Sequence, residues 1–323
     1  MPRLAQPTRI PIQRRTGEIT DEGIEVGPRD LARVRQLARW YCLTPRHIAA
    51  LERNVTEWHP DAPALSGQTP EERARVLARA GETIRRRLAK LARIESGYGA
   101  GPLVTGITSR DLQTVIYGPT ALGGRVADTP WSKIGPLAAF YVNHALLGAE
   151  VGIQLTTVTQ GQPLRIFSQR ELDTGHSADG EDLPINYASS FHKKGDAVDK
   201  KPDLVLSSNR GTQFIAIEIE IDKNRPLETY SEKLSAYEQN PAITAVWYVC
   251  PHEATQKRVE RAAANYPMAN VRVIPVRDLG NGLREADIQY RSLPEHEGHA
   301  RKQALATDIQ QIIAASVAEE ASA

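Results

Sequence analysis

Residues 214 to 222 read Phe-Ile-Ala-Ile-Glu-Ile-Glu-Ile-Asp and alternate with a period of two. Such a run belongs in a β-strand, where successive side chains point to opposite faces. Ile215, Ile217, Ile219 and Ile221 fall on one face and Glu218, Glu220 and Asp222 on the other. The acids are then spaced by about 6–7 Å along the strand. Packed like charges raise one another's pKa, so the row needs either open water or a cation. Two readings follow from the strand alone. It is a two-faced edge strand with its polar side in solvent, or its carboxylates hold a hard cation such as Mg²⁺ for phosphodiester chemistry.

The rest of the chain narrows the setting. With 323 residues, 41% of them apolar and 24% charged, it has the make-up of a globular protein of one large domain or two. No apolar run reaches the roughly 18–20 residues of a membrane span, and no secretory leader opens the sequence, so a cytoplasmic location is expected. Cys42 and Cys250 lie far apart in apolar contexts. They read as buried thiols, with no zinc-site spacing and no disulfide framework.

The net charge of +1 hides a segregation. Between Arg29 and Arg93 there are fourteen Lys/Arg against seven Asp/Glu, a local basic excess of the kind that binds phosphate backbones. Residues 1–28, with Pro2, Pro7, Pro11 and four arginines, read as a flexible basic arm. Residues 29 to 41 place Leu31, Val34, Leu37, Ala38 and Tyr41 on one helical face. Thr44-Pro45 starts a short second helix carrying Arg46, and Thr69-Pro70-Glu71-Glu72 opens a third that runs toward Ile94. In the third helix Leu77, Ala80, Ile84, Leu88 and Leu91 fall within about 40° of one direction. Arg75, Arg79, Arg86, Lys90 and Arg93 lie opposite. Segments near 102–107 and 113–117 form a hairpin after it. Three helices and a hairpin are the order of a winged helix-turn-helix, expected over 29–125, with Arg46 and the basic face of the third helix on double-stranded DNA. A solvated charged face is the plain alternative.

Gly118, Pro119, Gly123, Gly124 and Pro130 read as a linker. From Leu137 the pattern changes to α/β (α+β), with a mixed sheet expected over 131–285. A helix carries Leu137 to Val151, including His144 and, at its end, Glu150. Strands follow at 164–168 and 203–207, separated by a polar insert over 173–200 that contains His176 and His192. The acidic strand precedes a helix over 227–239, a buried strand at 245–250, a helix at 253–265 and a strand at 271–276. Residues 286–323 read as a C-terminal helix, about 299–317, and a tail. No internal repeat or catalytic glycine loop is present.

Lys201-Pro202-Asp203 opens the strand before the acidic one. A hairpin there brings Asp203 beside Glu218 and Glu220, since neighbouring strands lie about 4.8 Å apart. Three carboxylates from two strands can share one divalent cation. Lys223 and Lys233 are the cations able to steady a transition-state phosphate. Asp203, then Glu218-Ile219-Glu220, then a helix and a β-α-β unit, resembles the core of the PD-(D/E)xK nuclease superfamily. That pattern has lysine where Glu220 stands, a glutamate variant also found among its nucleases. Lys223 and Lys233 are the candidates to replace it.

The whole arrangement resembles the replication-relaxation family of bacterial mobile elements, which joins a winged helix to such a nuclease-like domain. His144 with Glu150, Arg170-Glu171-Leu172, Pro202-Asp203, Glu218-Ile219-Glu220 through Lys223, and Val246-Trp247-Tyr248-Val249-Cys250 carry the resemblance, over about 30–280. It implies a plasmid or integrative-element protein acting in replication, mobilisation, conjugation or DNA processing, with replication or relaxosome proteins as partners. It implies Asp203, Glu218 and Glu220 as ligands of Mg²⁺ or Mn²⁺ and Glu150 as an accessory acid, with Glu171 a second candidate. Two outcomes stay open: a magnesium-dependent endodeoxyribonuclease, or a non-enzymatic accessory factor whose nuclease-like domain is an inactive scaffold. No membrane partner is expected, and an oligomer is compatible with either.

Overall fold

The computed structural model describes residues 9–13, 19–53, 70–94, 102–109, 114–131, 139–159, 161–193, 196–275 and 295–322. They divide into two compact units. The polar loop at 54–69 and the Ser96–Gly99 turn lie outside the described residues.

The first unit is built on three helices, α1 (Pro28–Arg39), α2 (Pro45–Arg53) and α3 (Pro70–Leu91). Within the segment expected to be an irregular arm, β1 (Arg9–Gln13) and β2 (Ile19–Glu25) pair as an antiparallel hairpin. After α3, β3 (Val104–Ser109) and β4 (Thr114–Pro119) form the expected second hairpin. Leu43, between α1 and α2, adds a bridge to Tyr117 of β4. The apolar faces read from helical spacing are turned inward: Leu31, Val34 and Leu37 of α1 and Leu77, Ile84, Leu88 and Leu91 of α3 are all buried, as is Ile48 of α2.

The glycines expected to mark a linker serve a different purpose. Gly118 and Pro119 complete β4, and Gly123 and Gly124 lie in a short helix, α4 (Ala121–Val126), capped by Thr120. A Cβ on Gly123 would sit 1.9 Å from the Leu103 carbonyl oxygen. Glycine is required there by close backbone approach, not by flexibility.

The second unit contains a five-stranded mixed sheet in the order β11-β10-β9-β8-β5. β8 (Leu204–Ser208) pairs antiparallel with both its neighbours, β5 (Leu164–Ser168) and β9 (Phe214–Ile219). β10 (Ile243–Cys250) and β11 (Val271–Pro275) then add in parallel, each reached through a helix. Those helices are α7 (Leu227–Glu238) and α8 (Glu253–Ala263). Before the sheet runs α5 (Ala139–Val158). The fold is therefore mixed α and β with antiparallel strands first and a β-α-β arrangement after, as expected.

β9 is an interior strand, and every one of its residues is buried. The solvated-edge reading of the acidic row is thus overturned. Phe214 and Ala216, on the acids' face, join Tyr230, Leu234 and Tyr237 of α7 and Val259 of α8 in one apolar cluster. The expected polar insert is also structured. It begins in the last turn of α6 (Gln169–Thr174) and holds a hairpin of β6 (Ser189–Lys193) and β7 (Asp196–Lys200). A long C-terminal helix, α9 (Glu295–Ala321), packs across β8, β9, β10 and β5. Its Asp308 accepts from Trp247 Nε1 at 2.9 Å and pairs with Arg272, and its Glu319 caps the β8–β9 turn. The helix expected over 299–317 thus extends through most of the expected tail and forms a layer on the sheet. Among the described residues no helix is long and apolar enough to cross a membrane.

Candidate functional site

The register that pairs Leu204 with Ile217 brings Asp203, one residue before β8, level with Glu218. Asp203 Oδ2 accepts the Ile219 amide at 2.7 Å, which fixes the aspartate to the neighbouring strand. Glu218 and Glu220 are each 2% exposed, on the face covered by α7. Leu227, Tyr230, Leu234 and Tyr237 recur at helical spacing in α7, and Pro226 sits before its first turn. Leu227 is exposed at the start of the helix, and packing the other three inward delivers two further side chains to the acids. Lys233 Nζ donates to Glu218 Oε2, and the Tyr237 hydroxyl donates to Glu218 Oε1. The two donors are four residues apart, so both lie on one helix face.

Glu220 has a separate set of partners. Its Oε1 accepts the Asp222 amide at 2.9 Å, and its Oε2 lies 3.0 Å from Arg225 Nε. Asp222 itself is exposed and caps the turn through Asn224 N–H. Of the two candidate lysines, the geometry selects Lys233. Lys223 is exposed, and its backbone carbonyl accepts from Arg258 Nη1 at 2.5 Å.

The electrostatics follow from these neighbours. Burial pushes the Glu218 carboxyl up; Lys233 opposes this and Asp203 adds to it. Burial pulls Lys233 down, yet Glu218 and Asp203 together outweigh it and hold the ammonium above its ordinary range. The partners move in the same direction because burial dominates at Glu218, with one cation against one like charge beside it, whereas Lys233 faces two carboxylates. Glu220 is also raised, by burial first, with Arg225 in opposition. Beside them stand two buried phenols, Tyr230 and Tyr248. Among the described residues their hydroxyls have no hydrogen-bond partner, and burial, with nearby carboxylate charge adding to it, raises both.

Other expected residues sit elsewhere. Glu150 is buried in the middle of α5, not at its end, because the helix continues through Gln154 and Leu155 to Val158. It accepts from Gln154 Nε2 at 3.0 Å. Glu171 is the third residue of α6. It accepts the Ser168 amide at 2.8 Å while Ser168 Oγ takes the Glu171 amide, a reciprocal cap that gives this acid a structural role. His144 is half-buried on α5 with its ring 5.2 Å from that of Tyr141. His176 pairs with Asp182 at 3.0 Å across a β-bridge. His192 falls on β6. Cys42 and Cys250 are buried thiols, and burial pushes Cys42 up to about 12.

In the first unit, Arg75, Arg79, Arg86 and Lys90 are exposed on α3, and Arg46 and Arg93 are half-buried. The basic excess is partly spoken for. Arg29 and Arg33 both grip Glu52, at 2.6 Å each. Arg87 Nε reaches the buried Asp30 at 2.8 Å. Burial alone would raise Asp30, but Arg87, the Gly27 amide and Arg33 hold it below its usual value. These contacts anchor α1 to α2 and α3. On the outer face Glu82 is gripped by Arg85 at 2.7 Å and Arg86 at 2.9 Å, which keeps its carboxyl down at about 2.

Arg225, Tyr230, Tyr237 and Tyr248 are the site residues that sequence reasoning missed. Only Tyr237 carried a signal, its four-residue spacing from Lys233. No protein-family model, curated protein or solved structure matches the chain.

Proposed function

We propose that this chain is a DNA-binding protein with a divalent-cation-dependent nuclease centre of the PD-(D/E)xK kind. The observation that carries the reading is the Lys233 ammonium on Glu218, with Asp203 level on the adjacent strand. A lysine absent from the acidic strand is thereby supplied from α7.

The donor set suits a hard cation. It is all carboxylate oxygen, it carries a surplus of negative charge, and two buried phenols without partners stand beside it. As they stand, no three His, Cys, Asp or Glu side chains among the described residues are grouped to share one ion. Lys233 and Arg225 hold the acids instead. Asp203, Glu218 and Glu220 are the residues that would hold Mg²⁺ or Mn²⁺. Bound there, the ion would polarise a phosphate and lower the pKa of water. The chain's own residues do the rest. Tyr237 fixes the rotamer of Glu218, and the helix presents a protonated Lys233 that stabilises charge developing on a phosphoryl oxygen. The sheet and α7 keep bulk water from these charges, which strengthens each interaction.

In the first unit, the order of three helices and a hairpin, with the Leu43–Tyr117 bridge as a third strand, supports a winged helix. Arg75, Arg79, Arg86 and Lys90 on α3 then face double-stranded DNA, with Arg46 and Arg93 at its margins. This combination is that of the replication-relaxation family. It fits a cytoplasmic role in replication or mobilisation of a plasmid or integrative element, alongside relaxosome proteins.

A second reading is favoured by one specific observation: each oxygen of Glu218 and Glu220 already has a protein partner. On that reading the centre is a scaffold in a non-enzymatic accessory factor. Incubation of supercoiled plasmid with Mg²⁺ or Mn²⁺ separates the two. Nicking by the wild type that Glu218→Gln abolishes supports the enzyme. Equal nicking by both proteins, or none by either, supports the scaffold.

A further inference from the structure

Arg225 joins a buried carboxylate of the acidic centre to solvent. Its side chain is 34% exposed while that of Glu220, 3.0 Å away, is 3% exposed. Its backbone is held independently of that ion pair. Arg258 Nη1 donates to the carbonyls of Lys223 and Arg225, at 2.5 and 3.3 Å, and Asp222 closes the turn on Asn224. The guanidinium can therefore change partners while its Cα stays in place.

The charges give a reason for such a change. Asp203, Glu218 and Glu220 face Lys233 and Arg225, which leaves one net negative charge. A phosphodiester, itself an anion, is repelled by that arrangement. One divalent cation reverses the sign and makes the centre complementary to a single phosphate. Tyr230 beside Glu220, and Tyr248 beside Glu218 on the neighbouring strand, each bury a hydroxyl that has no hydrogen-bond partner among the described residues. Buried polar groups of that kind call for a partner such as a water or a bound ion.

Resting on the metal-centre reading above, we infer that Arg225 is an exchangeable counter-ion: a divalent cation takes its place on Glu220, and the released guanidinium binds a phosphate oxygen of DNA. A guanidinium suits both partners, because its planar fork matches carboxylate and phosphate alike. Cation binding and phosphate binding are then coupled through one side chain, and neither ligand is held well without the other.

The test uses the full chain. Mn²⁺ binding is measured by calorimetry without DNA, and affinity for a short duplex is measured with and without Mn²⁺. Arg225→Ala removes the competitor, so it should bind Mn²⁺ about tenfold more tightly than wild type, the equivalent of one charged hydrogen bond. It should also lose the gain in duplex affinity that Mn²⁺ gives the wild type. Equal or weaker Mn²⁺ binding, or a full Mn²⁺-dependent duplex gain, overturns the exchange. Should Arg225→Ala not fold, Arg225→Lys carries the test, with tighter Mn²⁺ binding and a reduced duplex gain expected and wild-type values overturning it. Asp203→Asn and Glu218→Gln separate the two levels of the argument. If they bind Mn²⁺ as the wild type does, the metal-centre reading itself falls. If they lose Mn²⁺ while the Arg225 variants match wild type, the exchange alone falls.

Discussion

Lys233→Met isolates the interaction on which the site depends. Methionine fills the space of the lysine stem, so packing changes little and the charge is what is lost. Glu218 is 2% exposed and Lys233 Nζ is its only cationic hydrogen-bond partner among the described residues. The lysine side chain is 14% exposed, so solvent screens the pair weakly. Unit charges 4 Å apart interact by about 4 kcal/mol at an effective dielectric of about 20. Breaking a buried pair by removing one partner costs about 3–5 kcal/mol. The loss should depend on pH in a defined sense. Burial already raises Glu218 above its ordinary 4.5, and loss of Lys233 raises it further. A carboxyl that binds its proton more tightly when folded loses stability as pH rises from its unfolded pKa through its folded one. The penalty should therefore be small near pH 4.5 and full at pH 7–8. Urea unfolding followed by circular dichroism across that range measures it. Glu218→Gln combined with Lys233→Met should return to within about 1 kcal/mol of Glu218→Gln alone, because the stranded charge is gone. A penalty equal at both pH extremes, or a double variant as unstable as Lys233→Met, would refute the buried-pair reasoning.

Four further outcomes follow from other parts of the fold. Glu319 accepts from Ser208 Oγ at 2.6 Å and from the amides of Arg210 and Thr212 at 2.9 and 3.2 Å. Burial alone would raise its carboxyl, but these donors hold it below 4.5. Glu319→Gln should thus lose about 1–3 kcal/mol at neutral pH in urea unfolding, and the difference from wild type should shrink as pH falls below 4.5. Gly81→Ala should add about 0.5–1 kcal/mol, since the new Cβ makes ordinary contact with Arg46 at 3.6 Å and a helical glycine is replaced. Gly123→Ala, by contrast, should cost at least about 3 kcal/mol by thermal melting, because the Leu103 carbonyl occupies that space. Glu82→Gln releases Arg85 and Arg86, so duplex affinity in a fluorescence titration should rise and the salt slope steepen by about 1.

Much of this was legible in the sequence where the signal is periodic. The alternation at 214–219 defined a strand and its two faces, and the spacing in α1, α3 and α7 selected the side chains that became core. Alternation cannot say what covers each face. The acids are buried because α7 lies over them, and that packing also decides between Lys223 and Lys233. Arg225 was hidden for a related reason. Its contact with Glu220 depends on the turn path from Ile221 to Pro226, which composition does not specify. Gly123 and Gly124 misled because glycine serves tight packing as readily as it serves a linker. Glu171 was readable, since Ser168-Gln169-Arg170-Glu171 has the spacing of a capping box. The C-terminal helix was expected, but its role as a sheet layer rests on Asp308 and Glu319 reaching residues far away in sequence.

The central claim is that Asp203 and Glu218 belong to a divalent-cation centre served by Lys233. Anomalous scattering from crystals grown with Mn²⁺ and a short duplex tests it most directly. The account predicts a peak at about 2.0–2.3 Å from carboxylate oxygens of both acids, with Arg225 no longer on Glu220. Mn²⁺ peaks only elsewhere, with Lys233 and Arg225 still paired to Glu218 and Glu220, would contradict it.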